Sequence, residues 1–519
     1  MSTEVDLKDV ELNEVDQEKQ PMTAGDAGNG DTGNGDATSP TGTEKNGMIS
    51  VKIPEETESK FTGLSKDELL KVAGTPGWVR TRWALLILFW LGWLGMLAGA
   101  IGIIIQAPRC KPLPEMNWWN EGPLYEIGSV EAFADDLKGL KQKVEVLSQL
   151  KVKGLVVGPI HKAPADKEDD LDLNDVSVSG DLVEFKALLD AAHKKGMKVV
   201  LDLTPNYQGQ KRWFDDLMGT ADKLKVALVH WQKQGVDGFK LSGFEIVSAL
   251  NATLWDDIRA IAQQAQNDTE QTRSVLIGVT EKTSYEEVGS LLNSSGVDLL
   301  LSGVLRANNN SGELLAAAVQ KLYDTQNQTR LAWNLADREQ GHLASLVGTS
   351  LVKFNQMLLF TLPGTPVFNY GDEIGLEDQL DGKEKFPKMV WYSSEEADTL
   401  NETEKAEVDA RLSLRNFFKQ LSELRSKERS LQHGDYVPLL STTSTLAYLR
   451  SWDQSERFLA VFNWGPDSAT LKLEHAELPQ QAKVAASTDP ELKVQDTLDL
   501  QALKLGPGQA ILLKFPFMG

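Results

Sequence analysis

A single cysteine, Cys110, in 519 residues excludes any disulfide within the chain. Histidine is nearly as scarce. The six (161, 193, 230, 342, 433 and 475) show no metal-ligand spacing, so neither a metal site nor another cofactor is expected. Basic residues are outnumbered by acids, 53 to 75, for a formal charge of −22. That balance excludes the basic footprint of a nucleic-acid binder and suits a self-repelling surface ectodomain. Residues 1–60 lack periodic apolar positions, and disorder is expected there.

Charge is missing altogether from one stretch, Trp83 to Ile105 (WALLILFWLGWLGMLAGAIGIII). At ~1.5 Å per residue its 23 residues span about 34 Å, enough to cross a lipid bilayer. The run is too long and too far along the chain for a cleaved signal, so it reads as a permanent anchor. Lys60, Lys66, Lys71, Arg80 and Arg82 precede it, whereas Arg109 and Lys111 follow. The positive-inside rule then predicts a single-pass type II protein, N-terminus cytoplasmic and C-terminus extracellular. Sequons starting at Asn251, Asn267, Asn293, Asn309, Asn327 and Asn401 all lie beyond the anchor, as N-glycosylation there requires. Before it, Ser65 to Glu68 forms a capping-box pattern for a short helix, which Pro76-Gly77 is expected to end.

Gly92, Gly95, Gly99 and Gly102 share one face of the anchor and predict close packing against another membrane helix. Cys110 lies just outside. Three fates are open to it: a bridge to another membrane protein, a homodimer bridge, or a free thiol.

Eight apolar runs then alternate with helical patterns: LYEI (124–127), GLVVGPI (154–160), MKVVLDL (197–203), GVDGFK (235–240), SVLIGV (274–279), VDLLLSGV (297–304), RLAWN (330–334) and TPVFNYG (365–371). Such runs suit strands buried on both faces, and eight β/α units predict a parallel (β/α)8 TIM barrel. From about Tyr436 the strands lose their intervening helices, which predicts a C-terminal antiparallel β-sandwich. The expected domains are a tail (1–82), a membrane helix (83–105), a neck (106–115), the barrel (116–434) and the all-β domain (435–519).

Leu359–Leu376 (LFTLPGTPVFNYGDEIGL) and Phe185–Tyr207 resemble the eighth- and third-strand regions of the α-amylase family. In that family two carboxyl groups ~5–5.5 Å apart at the strand ends cleave the glycosidic bond. Set against those motifs, Tyr207 follows Asn206 where a histidine is usual, and Lys240 stands for an arginine. Ser242 stands for the nucleophilic aspartate, Val279 for the acid/base glutamate, and Leu335-Ala336 for a His-Asp pair. Asp202, Glu245, Glu281 and Asp337 lie nearby and are read as structural or solvated acids. Only 27 residues lie between Tyr207 and Gly235, too few for the domain that amylases insert after strand three. The resemblance therefore implies an amylase-like fold that is not an enzyme.

The segment Phe61–Gly99, with VKGLVVGPIHK and RSKERSLQHGD, is similar to the heavy chains of heteromeric amino-acid transporters. It is nearest the branch lacking the catalytic carboxylates. The resemblance implies a non-catalytic subunit that binds a multi-span light chain through Cys110 and the membrane helix, stabilises it and delivers it to the cell surface. Family members are also linked to integrin β subunits, which the resemblance adds as a further partner, although nothing in residues 1–82 shows it by itself. The rivals are a membrane-anchored α-glucosidase-like hydrolase, the sister heavy-chain branch, and an adhesion receptor acting through its tail.

Overall fold

The structure is a computed structural model that describes residues 65–106, 111–176, 179–264, 273–379, 384–391 and 401–518. Cys110, Asn267 and the first 64 residues lie outside the described residues. The chain divides into two units, Met1–Ala107 and Pro108–Gly519.

In the first unit Ser65 and Glu68 form the expected reciprocal capping box on helix Lys66–Ala73. That helix ends earlier than Pro76, at a Gly74 cap whose N–H donates to the Leu70 carbonyl while the next N–H, of Thr75, donates to that of Val72. Pro76 instead opens the next helix, Pro76–Gln106, 31 residues long. A proline suits a first helical turn, where its missing N–H has no intrahelical partner to lose. The apolar run is thus the distal part of a longer helix whose first turns carry Arg80 and Arg82. A Cβ added at Gly92, Gly95, Gly99 or Gly102 would meet nothing within 4 Å, leaving that face open along the chain itself.

The second unit contains eight parallel strands: β1 (Leu124–Ile127), β2 (Gly154–Val157), β3 (Lys198–Asp202), β4 (Gly238–Ser242), β5 (Val275–Val279), β6 (Leu299–Leu301), β7 (Ala332–Trp333) and β8 (Thr365–Asn369). Their order is β6-β5-β4-β3-β2-β1-β8-β7, and a parallel bridge from Leu300 to Leu331 closes the ring between β6 and β7. Side chains alternate along each strand. Leu124, Val156, Val200, Ile277, Leu299 and Val367 fill the barrel, while Leu155, Val199, Leu201 and Phe239 pack outward under the helices. The same alternation sends Glu126, Asp202, Lys240 and Ser242 inward near the C-terminal ends of their strands, where a TIM barrel keeps its site. One helix, Leu217–Gln234, connects β3 to β4, so no inserted domain interrupts the chain there.

Beyond helix Glu402–Lys427 come β9 (Asp435–Ser441), β10 (Thr445–Ser451), β11 (Arg457–Asn463), β12 (Ala469–Leu471), β13 (Gln481–Ser487), β14 (Thr497–Asp499), β15 (Leu503–Leu505) and β16 (Ala510–Phe515). Six form one sheet, β14-β13-β16-β11-β10-β9, and β12 pairs with β15. The sandwich is lopsided. One face of the large sheet (Leu449, Leu459, Val461, Leu513) meets Leu471, Leu503 and Leu505. Its other face (Leu446, Tyr448, Phe458, Phe462) joins the core shared with the barrel's helices. Burial on both faces explains why β10 and β11 read as continuous apolar runs.

Candidate functional site

At the C-terminal end of the barrel Lys240 occupies the centre. Its ammonium lies 2.6 Å from Glu126 Oε1 and 3.2 Å from Asp202 Oδ2, with all three side chains buried. Burial opposes each charge, but together the charges reinforce one another. Burial alone would raise Asp202; Lys240 and two hydrogen bonds from Thr204 outweigh it and hold the carboxyl below its usual range. Glu126 stays above its usual range, because burial exceeds the pull of Lys240. Lys240 itself is pushed upward, its two carboxylates overcoming burial. Arg338 lies near enough for its charge to act on Asp202 and Glu126, and its guanidinium is 4.6 Å from the Tyr207 ring. The Tyr207 hydroxyl donates to the His161 carbonyl at 3.1 Å. Burial pushes the His161 imidazole down to about 4, so it is neutral at physiological pH.

Ser242 is buried next to this cluster, its N–H donating to Thr204 Oγ1 at 3.0 Å and its carbonyl accepting from the Trp213 indole. Val279, Leu335 and Ala336 are buried apolar residues at the ends of their strands or just beyond. Each neighbouring acid is held by at least one donor, though Glu245 Oε2 is buried without a partner. Asp337 Oδ1 accepts the N–H groups of Glu339 and Gln340, both at 2.8 Å. Its Oδ2 accepts from Arg306 and Asn334, both at 3.1 Å. Those four donors fill the carboxylate's acceptor sites. Glu245 Oε1 accepts from Thr280 at 2.9 Å. Glu281 is held by Gln340 at 3.2 Å and faces Arg306 at 3.6 Å. Partial burial, then Asp337 and Glu339, raise its carboxyl against the pull of Arg306. Glu339 pairs with Arg212 at 2.8 Å. A cavity of about 410 Å³ lies beside Leu335, lined by Arg306, Asn309, Leu346, Asn355 and Trp464. Among the described residues no His, Cys, Asp or Glu side chains group in threes as metal ligands do.

Glu126, Arg306, Arg338 and His161 were not read as site residues from the sequence. The signal for Glu126 was present, a lone acid inside the buried run LYEI.

Far from the strand ends, Lys111, the residue after Cys110, contacts the β domain. Its N–H donates to Asp453 at 3.2 Å, and its ammonium lies 3.9 Å from Asp435 and 4.4 Å from the Trp452 ring centre. Of the described sequon asparagines, Asn251, Asn293, Asn327 and Asn401 are exposed. Asn309 is half-buried and donates to Asn355 at 2.8 Å.

An eight-stranded parallel barrel with these motifs defines an α-amylase-type domain, preceded in the chain by the one helix among the described residues that is long and apolar enough to cross a membrane. A family model for the α-amylase catalytic domain matches residues 127–256. The α-amylase of Geobacillus thermoleovorans, solved with acarbose, superimposes with a TM-score of 0.61 at 18% identity, over 78% of this chain and all of that one. A second family model, the solute carrier family 3 member 2 N-terminus, matches residues 50–125. The chain is 43% identical to the amino acid transporter heavy chain SLC3A2 of Mus musculus, covering 99% of both proteins. It is 44% identical to the one from Oryctolagus cuniculus, again over 99% of each. The chain belongs to the SLC3A2 family of amino acid transporter heavy chains.

Proposed function

We propose that this chain is the non-catalytic heavy subunit of a heteromeric amino-acid transporter. It joins a multi-span light chain through a disulfide at Cys110 and through the glycine face of its membrane helix, and it stabilises that partner and delivers it to the plasma membrane. The observation that carries this reading is kinship with amino acid transporter heavy chains along 99% of the chain.

Physical arguments support the division of labour. Transporters build their substrate site at mid-membrane from several interrupted helices, lined with polar groups. The one membrane-length helix described here is continuous and carries no charge from Trp83 to Ile105. At the barrel mouth, a serine cannot form a carboxylate's glycosyl ester and a valine cannot donate a proton. Asp337, the nearest substitute, has no acceptor site left for a sugar. The same reading places the N-terminus in the cytoplasm and the second unit outside, on the asymmetry of flanking bases.

A non-reducing gel of the full chain from cell membranes tests the link. A heavier band should collapse on reduction and vanish in Cys110→Ser. Surface levels of the captured partner should persist in Cys110→Ser, then fall when Gly95→Leu and Gly99→Leu are added. Release of glucose from α-glucosides by the purified chain would favour the hydrolase reading instead.

A further inference from the structure

We propose that Asn251 carries an N-linked glycan whose first sugar covers an apolar patch formed by Met218, Ile246 and Leu250. This rests on the reading that the second unit lies outside the cell. Three apolar side chains stand open to solvent around this sequon: Leu250 is 71% exposed, Met218 54% and Ile246 38%. Leu250 and Ile246 lie one turn apart on helix Phe244–Leu250, and Met218 lies in the first turn of helix Leu217–Gln234. Clustered exposed apolar surface on a soluble domain calls for a cover.

Asn251 is placed to supply one. It caps helix Ala252–Ala262, its Oδ1 accepting the Leu254 N–H at 3.1 Å. That bond fixes the side chain and turns its Nδ2 toward Met218, 3.9 Å from the sulfur. In glycosylation the carboxamide nitrogen attacks the anomeric carbon of an oligosaccharide linked to a polyisoprenyl diphosphate. The sugar–diphosphate bond breaks, the diphosphate leaves, and the nitrogen gives up one proton while keeping the other. The cap survives, because it uses only Oδ1. The C–H face and acetyl methyl of the first N-acetylglucosamine then lie over Met218 and Leu250, while its hydroxyls face water. Asn309 offers a contrast, since its Nδ2 is engaged by the buried Asn355.

The test uses the full chain in mammalian cells. Thr253→Ala removes the sequon and keeps the asparagine cap, whereas Thr253→Ser keeps both. Enzymatic removal of glycans in heavy-oxygen water should mark Asn251 in the parent and in Thr253→Ser only. The surface-exposed fraction of the chain should fall severalfold in Thr253→Ala, and adding Met218→Ser with Leu250→Ser should restore it. An unmodified Asn251 beside modified sequons elsewhere would overturn the proposal. So would a Thr253→Ala chain that reaches the surface like the parent, or a loss that the serine pair does not repair. If no sequon were modified anywhere, the extracellular placement would fail first and the shield with it.

Discussion

The barrel mouth and the barrel–β-domain junction both bury cations, by opposite means. At the mouth Lys240 lies between Glu126 and Asp202, charge against charge. At the junction Arg425 and Arg450 are buried just as deeply, yet their hydrogen bonds go to backbone carbonyls. Arg425 takes those of Phe360, Leu362 and Gly364, and Arg450 those of Thr361 and Gly434. Most of these carbonyls cluster at the C-terminal end of helix Val352–Thr361, where the helix dipole is negative and the last carbonyls lack intrahelical donors. A guanidinium, with five donors in a plane, can bridge such a cluster. An ammonium is a compact point charge and needs a formal counter-charge. Burial lowers Arg425 to about 9 and Arg450 to about 10, and both remain protonated at neutral pH.

The largest effect is expected at the junction. Arg425→Met strands three buried carbonyls and should cost about 4 kcal/mol, at ~1–3 kcal/mol per unsatisfied group with partial relaxation. Arg425→Lys should recover little of that loss, because one ammonium cannot span the three. Urea unfolding at several pH values reads both. No carboxylate is released, so the cost of Arg425→Met should stay nearly flat between pH 7 and pH 5, easing only as far as the His433 imidazole, held down by burial and then by Arg425, takes up its proton more readily.

Lys240→Met should cost slightly less at neutral pH, about 3 kcal/mol, by leaving two carboxylates buried without their cation. Here the cost should shrink on acidification. Glu126 already titrates above its usual range with Lys240 present and moves further up without it, while Asp202 loses the main charge that holds it below its usual range. Glu126 then takes up a proton in the folded state at a pH where the unfolded chain does not, so folding gains as pH falls. A second change, Glu126→Gln, should return part of the loss. A Lys240→Met penalty as flat with pH as that of Arg425→Met would erase the distinction between the two regions.

His161 adds an effect of opposite sign. Its imidazole titrates at about 4 when folded, against an ordinary 6.5. Below pH 6.5 the unfolded chain gains a proton that the folded chain refuses, and stability is lost progressively down to about pH 4. At pH 5 this amounts to about 2 kcal/mol, at ~1.36 kcal/mol per pH unit. His161→Phe keeps a ring against Tyr207 and should flatten the acid limb of a stability–pH curve by that amount. An unchanged limb would place the acid sensitivity elsewhere, His342 being the next buried imidazole lowered by its surroundings.

These contrasts mark what could be read from the residues alone. All eight barrel strands were visible as apolar runs, because strands buried on both faces carry no alternation that might confuse them with surface elements. Lys240, Ser242, Val279, Leu335 and Ala336 were visible because motif order places them at strand ends. What could not be read was which polar side chains meet. Glu126 and Lys240 are 114 positions apart, and nothing in a run such as LYEI names its partner across the barrel. The same holds for Arg425, whose RSKERS segment shows a charged helix end but not the carbonyls it reaches. Pro76 was read as a stop rather than a start, a boundary that depends on which side of the proline continues the helix.

Lys111 supplies the small-effect limit. It too sits among carboxylates and an aromatic ring, but its side chain is 50% exposed and Asp435 is 57% exposed. Water then competes for every contact, and an exposed pair of this kind contributes less than about 1 kcal/mol. Lys111→Ala should therefore shift the urea midpoint only slightly. That shift should disappear in high salt, because screening acts on exposed charges first. The loss from Lys240→Met should persist in the same salt, since ions cannot enter the barrel. A Lys111→Ala loss as large and as salt-resistant as that of Lys240→Met would mean that partner identity, rather than burial, sets the strength of these sites, and the contrast between mouth and junction would need another cause.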